Sequence, residues 1–121
     1  MLTNQEIFDR VCKHLMAQGK RAIAADGNCR YRGEGGTQCA VGCLIPDAVY
    51  TPDIEGCTMS SARNGTRKGK ALADVLEASG LPRACWDLLA DLQEVHDSRW
   101  PEYWADALTW VAKRYGLTVP Q

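Results

Sequence analysis

The sequence predicts a mainly α-helical fold, with four helices in a single domain over residues 1–121 and a small β-hairpin or two short strands near residues 29–45. Three observations predict this fold. Apolar residues recur every three to four positions in four segments, which is the spacing of an amphipathic helix. Capping residues, glycines or prolines bound these segments. At 121 residues, with 45% hydrophobic and 24% charged residues, the chain is long enough for one hydrophobic core.

The first predicted helix begins at a capping box. Thr3 and Glu6 have the T-x-x-E spacing in which each side chain accepts a hydrogen bond from the other residue's backbone N–H group. The apolar stripe that follows includes Ile7, Val11 and Leu15, and a glycine such as Gly19 commonly ends a helix. We therefore expect a helix between Thr3 and Gly19.

The segment from Cys29 to Cys43 organises the middle of the chain. Residues 29–32 alternate in polarity and predict a short strand, and the glycine-rich residues 33–36 predict a hairpin-like turn. Residues 37–45 are short and apolar, and periodicity alone does not separate strand from helix there. We favour a strand that turns into a short buried helix, with small residues that let another backbone approach closely. Residues 47–66 show little periodicity and predict a long irregular stretch.

Three further helices fill the rest of the chain. The first is expected from about Thr66 to Ser79. The second starts at Pro82, because proline suits the first turn of a helix. The third starts at Pro101 and ends at Gly116, a typical C-terminal glycine.

Charge and hydropathy exclude several classes of function. The formal net charge is −1, so no global field attracts nucleic acid or an anionic membrane. Residues 1–70 contain ten Lys and Arg against seven Asp and Glu, whereas residues 71–121 contain four against eight, which predicts a mildly basic and a mildly acidic face. No apolar stretch approaches the roughly 20 residues that span a bilayer, and the N-terminal residues do not resemble a signal peptide. We expect a cytoplasmic protein without a membrane or nucleic-acid partner.

Six cysteines make a metal site one hypothesis. In a cytosolic protein thiols stay reduced, so clustered cysteines indicate metal binding, catalysis or packing. Cys39 and Cys43 have the x3 spacing of half a zinc site, but a second close pair is missing. Packing of the thiols is the competing interpretation, as for Cys12 and Cys85 on apolar helix faces, and no cofactor is expected. The candidate metal ligands are Cys29, Cys39, Cys43, Cys57 and His96.

A catalytic cysteine is a second hypothesis. Cys39 follows a glycine-rich turn at the start of a predicted short helix, where the helix N-terminus would lower its pKa. His96 could then act as the base and Asp97 as the group that orients it. One Cys and one His are common in any chain of this length, so we do not expect an enzyme.

A basic loop at residues 63–70 could bind an anion. It contains four cations without an acid and leads into a predicted helix, whose first turn offers free N–H groups. The P-loop pattern is absent, and a solvated loop is the competing interpretation. A phosphorylated small molecule would suit the cationic side chains, which are Arg63, Arg67, Lys68 and Lys70, extended by Arg30 and Arg32.

The last third of the chain could bind a protein. Aromatic side chains that remain near a surface are common interface anchors, and an acidic row on the preceding helix would form a rim beside them. Ordinary packing and a solvated helix face are the competing interpretations. The candidate partner-binding residues are Trp86, Tyr103 and Trp110, with Asp87, Asp91 and Glu94.

Two motifs carry a resemblance to known proteins. The segment C-R-Y-R-G-E-G-G-T-Q-C-A-V-G-C-L-I-P-D, with a later D-L-Q-E-V-H-D and a closing helix ending R-Y-G-L, resembles a family of small proteins of unknown function in tailed bacteriophages and prophages. More loosely, it resembles bacterial proteins with a C-A-[LVI]-G-A-L core. That core has alanine where this chain has Cys43, which weakens any role that needs both Cys39 and Cys43.

The resemblance implies a context rather than an activity. It implies a phage-encoded accessory protein in the cytosol of an infected bacterium, and such proteins more often bind than catalyse. The expected function is therefore non-enzymatic binding of a host or phage macromolecule. A nucleotide or phosphate-ligand binder using residues 63–70 is one alternative, and a zinc- or cysteine-dependent site at Cys39, Cys43 and His96 is another.

Overall fold

Short-range capping fixes the ends of the helices in the computed structural model, which describes residues 1–120. The Thr3 hydroxyl accepts a hydrogen bond from the Glu6 N–H group, and the Glu6 carboxylate accepts one from the Thr3 N–H group, each at 3.1 Å. Gly19 ends the helix with φ +67°, and Gly116 ends the last helix with the same φ. The predicted capping box and C-terminal glycines are confirmed.

Five α-helices account for most of the regular structure within residues 1–120, so the prediction of a mainly helical protein is confirmed. The first helix, the one that begins at Thr66 and the one that ends at Gly116 lie where the sequence predicted them. A single 3₁₀ turn follows each of Pro82 and Pro101 before the α-helix proper begins. The helices are α1 (Asn4–Gln18), α2 (Met59–Arg63), α3 (Arg67–Ala78), α4 (Trp86–Ser98) and α5 (Trp104–Tyr115).

Helix α2 was not predicted and lies inside the stretch expected to be irregular. Its five residues make little more than one turn, which is too short for a periodic signal. The Thr58 hydroxyl caps it by accepting a hydrogen bond from the Ser61 N–H group. Helices α2 and α3 pack so closely that a β-carbon at Gly69 would collide with the Ser61 carbonyl oxygen.

The predicted β-hairpin near residues 29–45 is wrong. Only two isolated bridges form among the described residues, Ile23 with Cys29 and Arg32 with Gln38. The physical reason is that the Glu55 carboxylate accepts the N–H groups of Tyr31 and Arg32, at 2.9 and 3.1 Å. The Tyr31 N–H group, which a hairpin would pair with Cys39, is thus taken by a side chain. Of the backbone hydrogen bonds between residues 29–33 and 37–41, only those from the Gly33 N–H to Thr37 and from the Cys39 N–H to Tyr31 form.

Residues 37–45 contain no strand. They form turns and a short 3₁₀ helix at Gly42–Leu44. The close backbone approach expected of this segment is present, because a β-carbon at Gly42 would collide with the Tyr31 carbonyl oxygen.

One hydrophobic core joins these elements. Helix α1 packs against α4, α5 and the Gly42–Leu44 turn, while α2 packs against α3 and α4. The largest buried side chains include Phe8, Trp86 and Trp104. Cys12 and Cys85 are buried in this core, and all six cysteines are free thiols. Within residues 1–120 no helix has the length and apolar character needed to cross a membrane.

Candidate functional site

A thiol, an imidazole and a carboxylate converge where the loop at residues 22–29 meets the end of α4. One ligand-type atom from each of Cys29, His96 and Asp97 lies within 4.8 Å of the other two. The sequence had placed His96 and Asp97 with Cys39, but the structure brings Cys29 to them instead. Among the described residues, no other group of three or more Cys, His, Asp or Glu side chains has this geometry.

His96 is fully buried, and both of its ring nitrogens have partners inside the protein. Its Nε2 accepts the Ala22 N–H group at 2.9 Å, so that nitrogen carries no proton. Its Nδ1 therefore carries the proton and donates it to the Asp97 carboxylate at 2.6 Å. The ring also stacks on Trp104, with centroids 5.7 Å apart. His96 thus holds the loop against α4 and has no free nitrogen to act as a base.

The same hydrogen bonds argue against a zinc site at this cluster. A metal on Nδ1 would need that nitrogen deprotonated, and a neutral ring would then carry its proton on Nε2. That proton would point at the Ala22 N–H group and leave a buried donor without an acceptor, which costs about 1–3 kcal/mol. The donor set therefore suits a hydrogen-bonded cluster better than a metal centre.

Asp97 is the acceptor that connects the cluster. Its carboxylate accepts hydrogen bonds from His96 and, at 2.9 Å, from the Gln93 amide. The Gln93 carbonyl oxygen in turn accepts the Val41 N–H group at 3.0 Å. Burial raises the pKa of the Cys29 thiol, and the charge of Asp97 together with its hydrogen bond raises that pKa further. Cys29 is thus a protonated thiol at neutral pH rather than an activated nucleophile.

The other candidate cysteines are not members of this group of three, and their sulfur atoms contact backbone groups. Cys39 is fully buried, and burial raises its pKa, which corrects the prediction of a helix-activated thiolate. Its sulfur accepts the Gly42 N–H group at 3.2 Å. The Cys43 thiol donates to the Ala40 carbonyl oxygen at 3.1 Å, and the Cys57 thiol donates to a carbonyl oxygen of the α3 first turn at 3.2 Å. These contacts are those of packed thiols.

A pocket of about 500 Å³ opens beside the cluster, between α4 and the loops around Cys29 and Cys57. Asp97 and Glu94 line its α4 wall, and Arg30 and Arg63 lie on the facing side. Both arginines already have acidic neighbours, Arg30 at 3.7 Å from Glu55 and Arg63 at 2.6 Å from an Asp87 oxygen. The pocket therefore presents paired cations rather than free ones.

The six cations expected to bind an anion do not converge on one site. Four of them form ion pairs inside the protein: besides the two arginines of the pocket, Arg32 pairs with Asp47 at 2.5 Å and Lys70 with Asp74 at 3.0 Å. Arg67 and Lys68 are exposed and have no acidic partner within residues 1–120. Much of the positive charge of the basic loop is thus neutralised in the folded chain.

The aromatic residues expected to bind a partner divide into two groups. Trp86 is buried, and its indole N–H donates to the Leu81 carbonyl oxygen at 3.1 Å, so it belongs to the core. Tyr103 and Trp110 are 57% and 61% exposed, and Trp100 is 63% exposed. We call these three residues the aromatic surface. Trp100 and Tyr103 lie at the two ends of the 3₁₀ turn before α5, and Trp110 lies on α5.

The acidic row Asp87, Asp91 and Glu94 lies on α4, and most of it already has partners within the protein. Asp87 pairs with Arg63. Asp91 accepts the Tyr115 hydroxyl at 2.6 Å and lies 3.6 Å from the Arg114 guanidinium. Glu94 faces the pocket and has no ion-pair partner among the described residues.

Sequence reasoning missed two residues and one contact that shape this region. Glu55 has no local signal, because the N–H groups it accepts are 23 and 24 residues earlier in the chain. Cys29 was named with His96 as a candidate metal ligand, but its approach to Asp97 was not predicted. Trp100 was not among the candidate partner-binding residues, and its large exposed area could not be deduced from spacing.

Comparisons of the chain with protein-family models, with curated proteins and with solved structures found no match.

Proposed function

We propose that the protein is a phage-encoded accessory protein that acts in the bacterial cytosol by binding a protein of the host or the phage. The aromatic surface is the contact region. The observation that carries this proposal is that Trp100, Tyr103 and Trp110 each expose more than half of their side chains. Exposed aromatic side chains bury a large area at little entropic cost and are frequent anchors of protein interfaces.

The chemistry of the reactive side chains supports binding over catalysis. The thiols with clear contacts donate to or accept from backbone groups, and His96 uses both ring nitrogens within the fold. A general base needs a free lone pair within reach of its substrate. The phage origin rests on the resemblance of residues 29–47 to tailed-phage proteins.

Affinity capture from a bacterial lysate tests the proposal. The wild-type chain, a Tyr103→Ala/Trp110→Ala variant and a Met16→Ala variant serve as baits. Met16 is 54% exposed and lies on α1, so its variant is the matched control for loss of an exposed apolar side chain. Exposed substitutions change stability by only about 0.5 kcal/mol, so all three baits should remain folded.

The expected result is a protein retained by the wild-type chain and by Met16→Ala, and lost with the double variant. Replacing two anchors would weaken a typical interface by about 2–4 kcal/mol, or roughly 30- to 1,000-fold. Equal retention by the double variant would remove the aromatic surface from the proposal. If the wild-type chain retains no protein above the level of empty beads, the binding function itself is contradicted.

A further inference from the structure

A second groove lies beside Trp100 and differs in chemistry from the pocket at Cys29. It has a volume of about 450 Å³ and runs between the loop after α1 and the α4–α5 junction. We call it the Trp100 groove. Its lining comprises Lys20, Arg21, Ile23, Gly27, Glu34, Thr37, Trp100 and Pro101.

One side of the groove is a fixed aromatic and cationic platform. The Arg21 guanidinium lies 5.0 Å from the centroid of the Trp100 ring and donates to the Arg99 carbonyl oxygen at 2.7 Å. The Trp100 indole is thus held by a cation–π contact on one side while most of its surface faces solvent. Ile23, at 38% exposure, and Pro101 continue the apolar surface.

The groove also carries positive charge that the rest of the protein does not neutralise. Neither Lys20 nor Arg21 has a carboxylate partner in the part of the chain that the structure describes. This distinguishes them from Arg30, Arg32, Arg63 and Lys70, which all have one. Two unpaired cations beside an exposed indole favour a ligand that combines a negative group with an apolar or planar body.

Glu34 favours an acidic peptide over a polyanion as the ligand of the groove. It lies in the same lining and would repel a polyanion such as a single-stranded nucleic acid, whose phosphates are closely spaced. A peptide has one carboxylate per acidic residue and backbone N–H groups between them, which a carboxylate such as Glu34 can accept. An acidic peptide therefore matches both signs of charge in the groove.

We propose that the Trp100 groove binds a short acidic segment of the protein partner, with an apolar or aromatic side chain on Trp100 and Ile23 and a carboxylate at Lys20 and Arg21. This inference rests on the proposed binding function and names the chemistry of the partner segment. It extends that contact region from the aromatic surface to the loop after α1.

Selection from a randomised library of displayed twelve-residue peptides tests the inference with the full chain as bait. We expect enrichment of peptides that place Asp or Glu within two positions of an aromatic or large aliphatic residue. Lys20→Glu should weaken binding of the enriched peptides about fivefold or more at low salt, because it reverses an exposed charge in the groove. Lys13→Glu makes the same charge change on α1, outside the groove, and should leave the binding unchanged.

Four outcomes would overturn the inference. Three concern the peptides: enrichment of peptides without an acidic residue, no enrichment at all, and equal binding by the wild-type chain and Lys20→Glu. The fourth is that a labelled twelve-nucleotide oligothymidylate binds at 150 mM salt and is weakened by Lys20→Glu, which would assign the groove to nucleic acid. If the lysate partner is still lost with Tyr103→Ala/Trp110→Ala, any of these results removes the peptide groove and leaves the proposed function standing.

Discussion

The two histidines of the chain differ in what their ring nitrogens contact. His14 is half-buried and bonds the Gln38 carbonyl oxygen at 2.8 Å through one nitrogen. His96 is fully buried and bonds through both, to the Ala22 N–H group and to Asp97. A histidine in the second arrangement stabilises the fold and is not available for proton transfer.

His96→Ala should therefore destabilise the protein much more than His14→Ala. The first change leaves the Ala22 N–H group buried without an acceptor and opens a cavity beside Trp104, which together cost about 3–5 kcal/mol. The second removes one partly exposed hydrogen bond and should cost about 1 kcal/mol. Urea denaturation of both variants measures the difference, and similar losses would show that His96 is not a structural centre.

The Cys29 thiol gives a second test at the scale of one residue. Burial and the neighbouring Asp97 charge raise its pKa, so removing that charge should lower the pKa and increase the thiolate fraction at pH 8. Asp97→Asn keeps an oxygen that can accept the hydrogen bond from His96. We expect iodoacetamide to alkylate Cys29 faster in this variant than in the wild-type chain, and mass spectrometry measures the rate. Glu94→Gln removes a charge from the same pocket wall and should leave the rate nearly unchanged. Equal rates in both variants would show that the Asp97 charge does not raise the pKa of Cys29.

At the scale of elements, Glu55 accepts backbone N–H groups in the segment where the sequence predicted a strand. Its carboxylate accepts hydrogen bonds from two consecutive N–H groups and, at 2.7 Å, from the Tyr50 hydroxyl. It also forms an ion pair with Arg30. Charged acceptors bind backbone N–H groups more strongly than neutral ones. One side chain from a distant loop thus satisfies two backbone N–H groups of residues 29–32.

Glu55→Gln should destabilise the protein by about 2–3 kcal/mol, because the amide keeps one acceptor oxygen and turns a donor toward the remaining N–H group. Hydrogen exchange at Tyr31 and Arg32 should accelerate in the variant. Asp47→Asn is the control, since Asp47 is 92% exposed and pairs with Arg32 on the surface. A Glu55→Gln variant as stable as Asp47→Asn would refute the role of Glu55.

The elements that the sequence predicted correctly are those with local signals. Thr3 and Glu6 bond within one turn, and Gly19 and Gly116 adopt positive φ where a helix must end. The hairpin failed because its N–H groups are satisfied by Glu55, which no local pattern indicates. The predicted grouping of Cys39 with His96 and Asp97 was wrong for a similar reason. Tertiary packing of a loop on α4 brings Cys29 to His96 instead.

At the scale of the whole molecule, ion pairs between the two parts of the chain neutralise some of the charge by which those parts differ. Ion pairs join the basic first part to the acidic second part, as Arg63 with Asp87 and Lys70 with Asp74 show. The predicted anion site loses much of its free charge through these pairs. Arg67 and Lys68 remain available for the alternative of a phosphate ligand.

Thermal unfolding in the presence of nucleotides tests that alternative. A ligand at 100 times its Kd would add about 2.7 kcal/mol of stability, which raises Tm by roughly 10 °C in a protein of this size. We expect ATP, GTP and cyclic dinucleotides to change Tm by less than about 1 °C, because two exposed cations alone hold a phosphate weakly. A large shift that disappears in Arg67→Ala/Lys68→Ala would instead establish the basic loop as a phosphate site.

The Glu55 contact also has a consequence for how related chains diverge. Its partners at positions 31 and 32 are backbone N–H groups, which every amino acid except proline supplies. Most substitutions at those two positions therefore preserve the contact, whereas substitution of the acid does not. Related chains should therefore retain an acidic residue just ahead of the Gly56–Cys57 pair even where the side chain at position 32 differs.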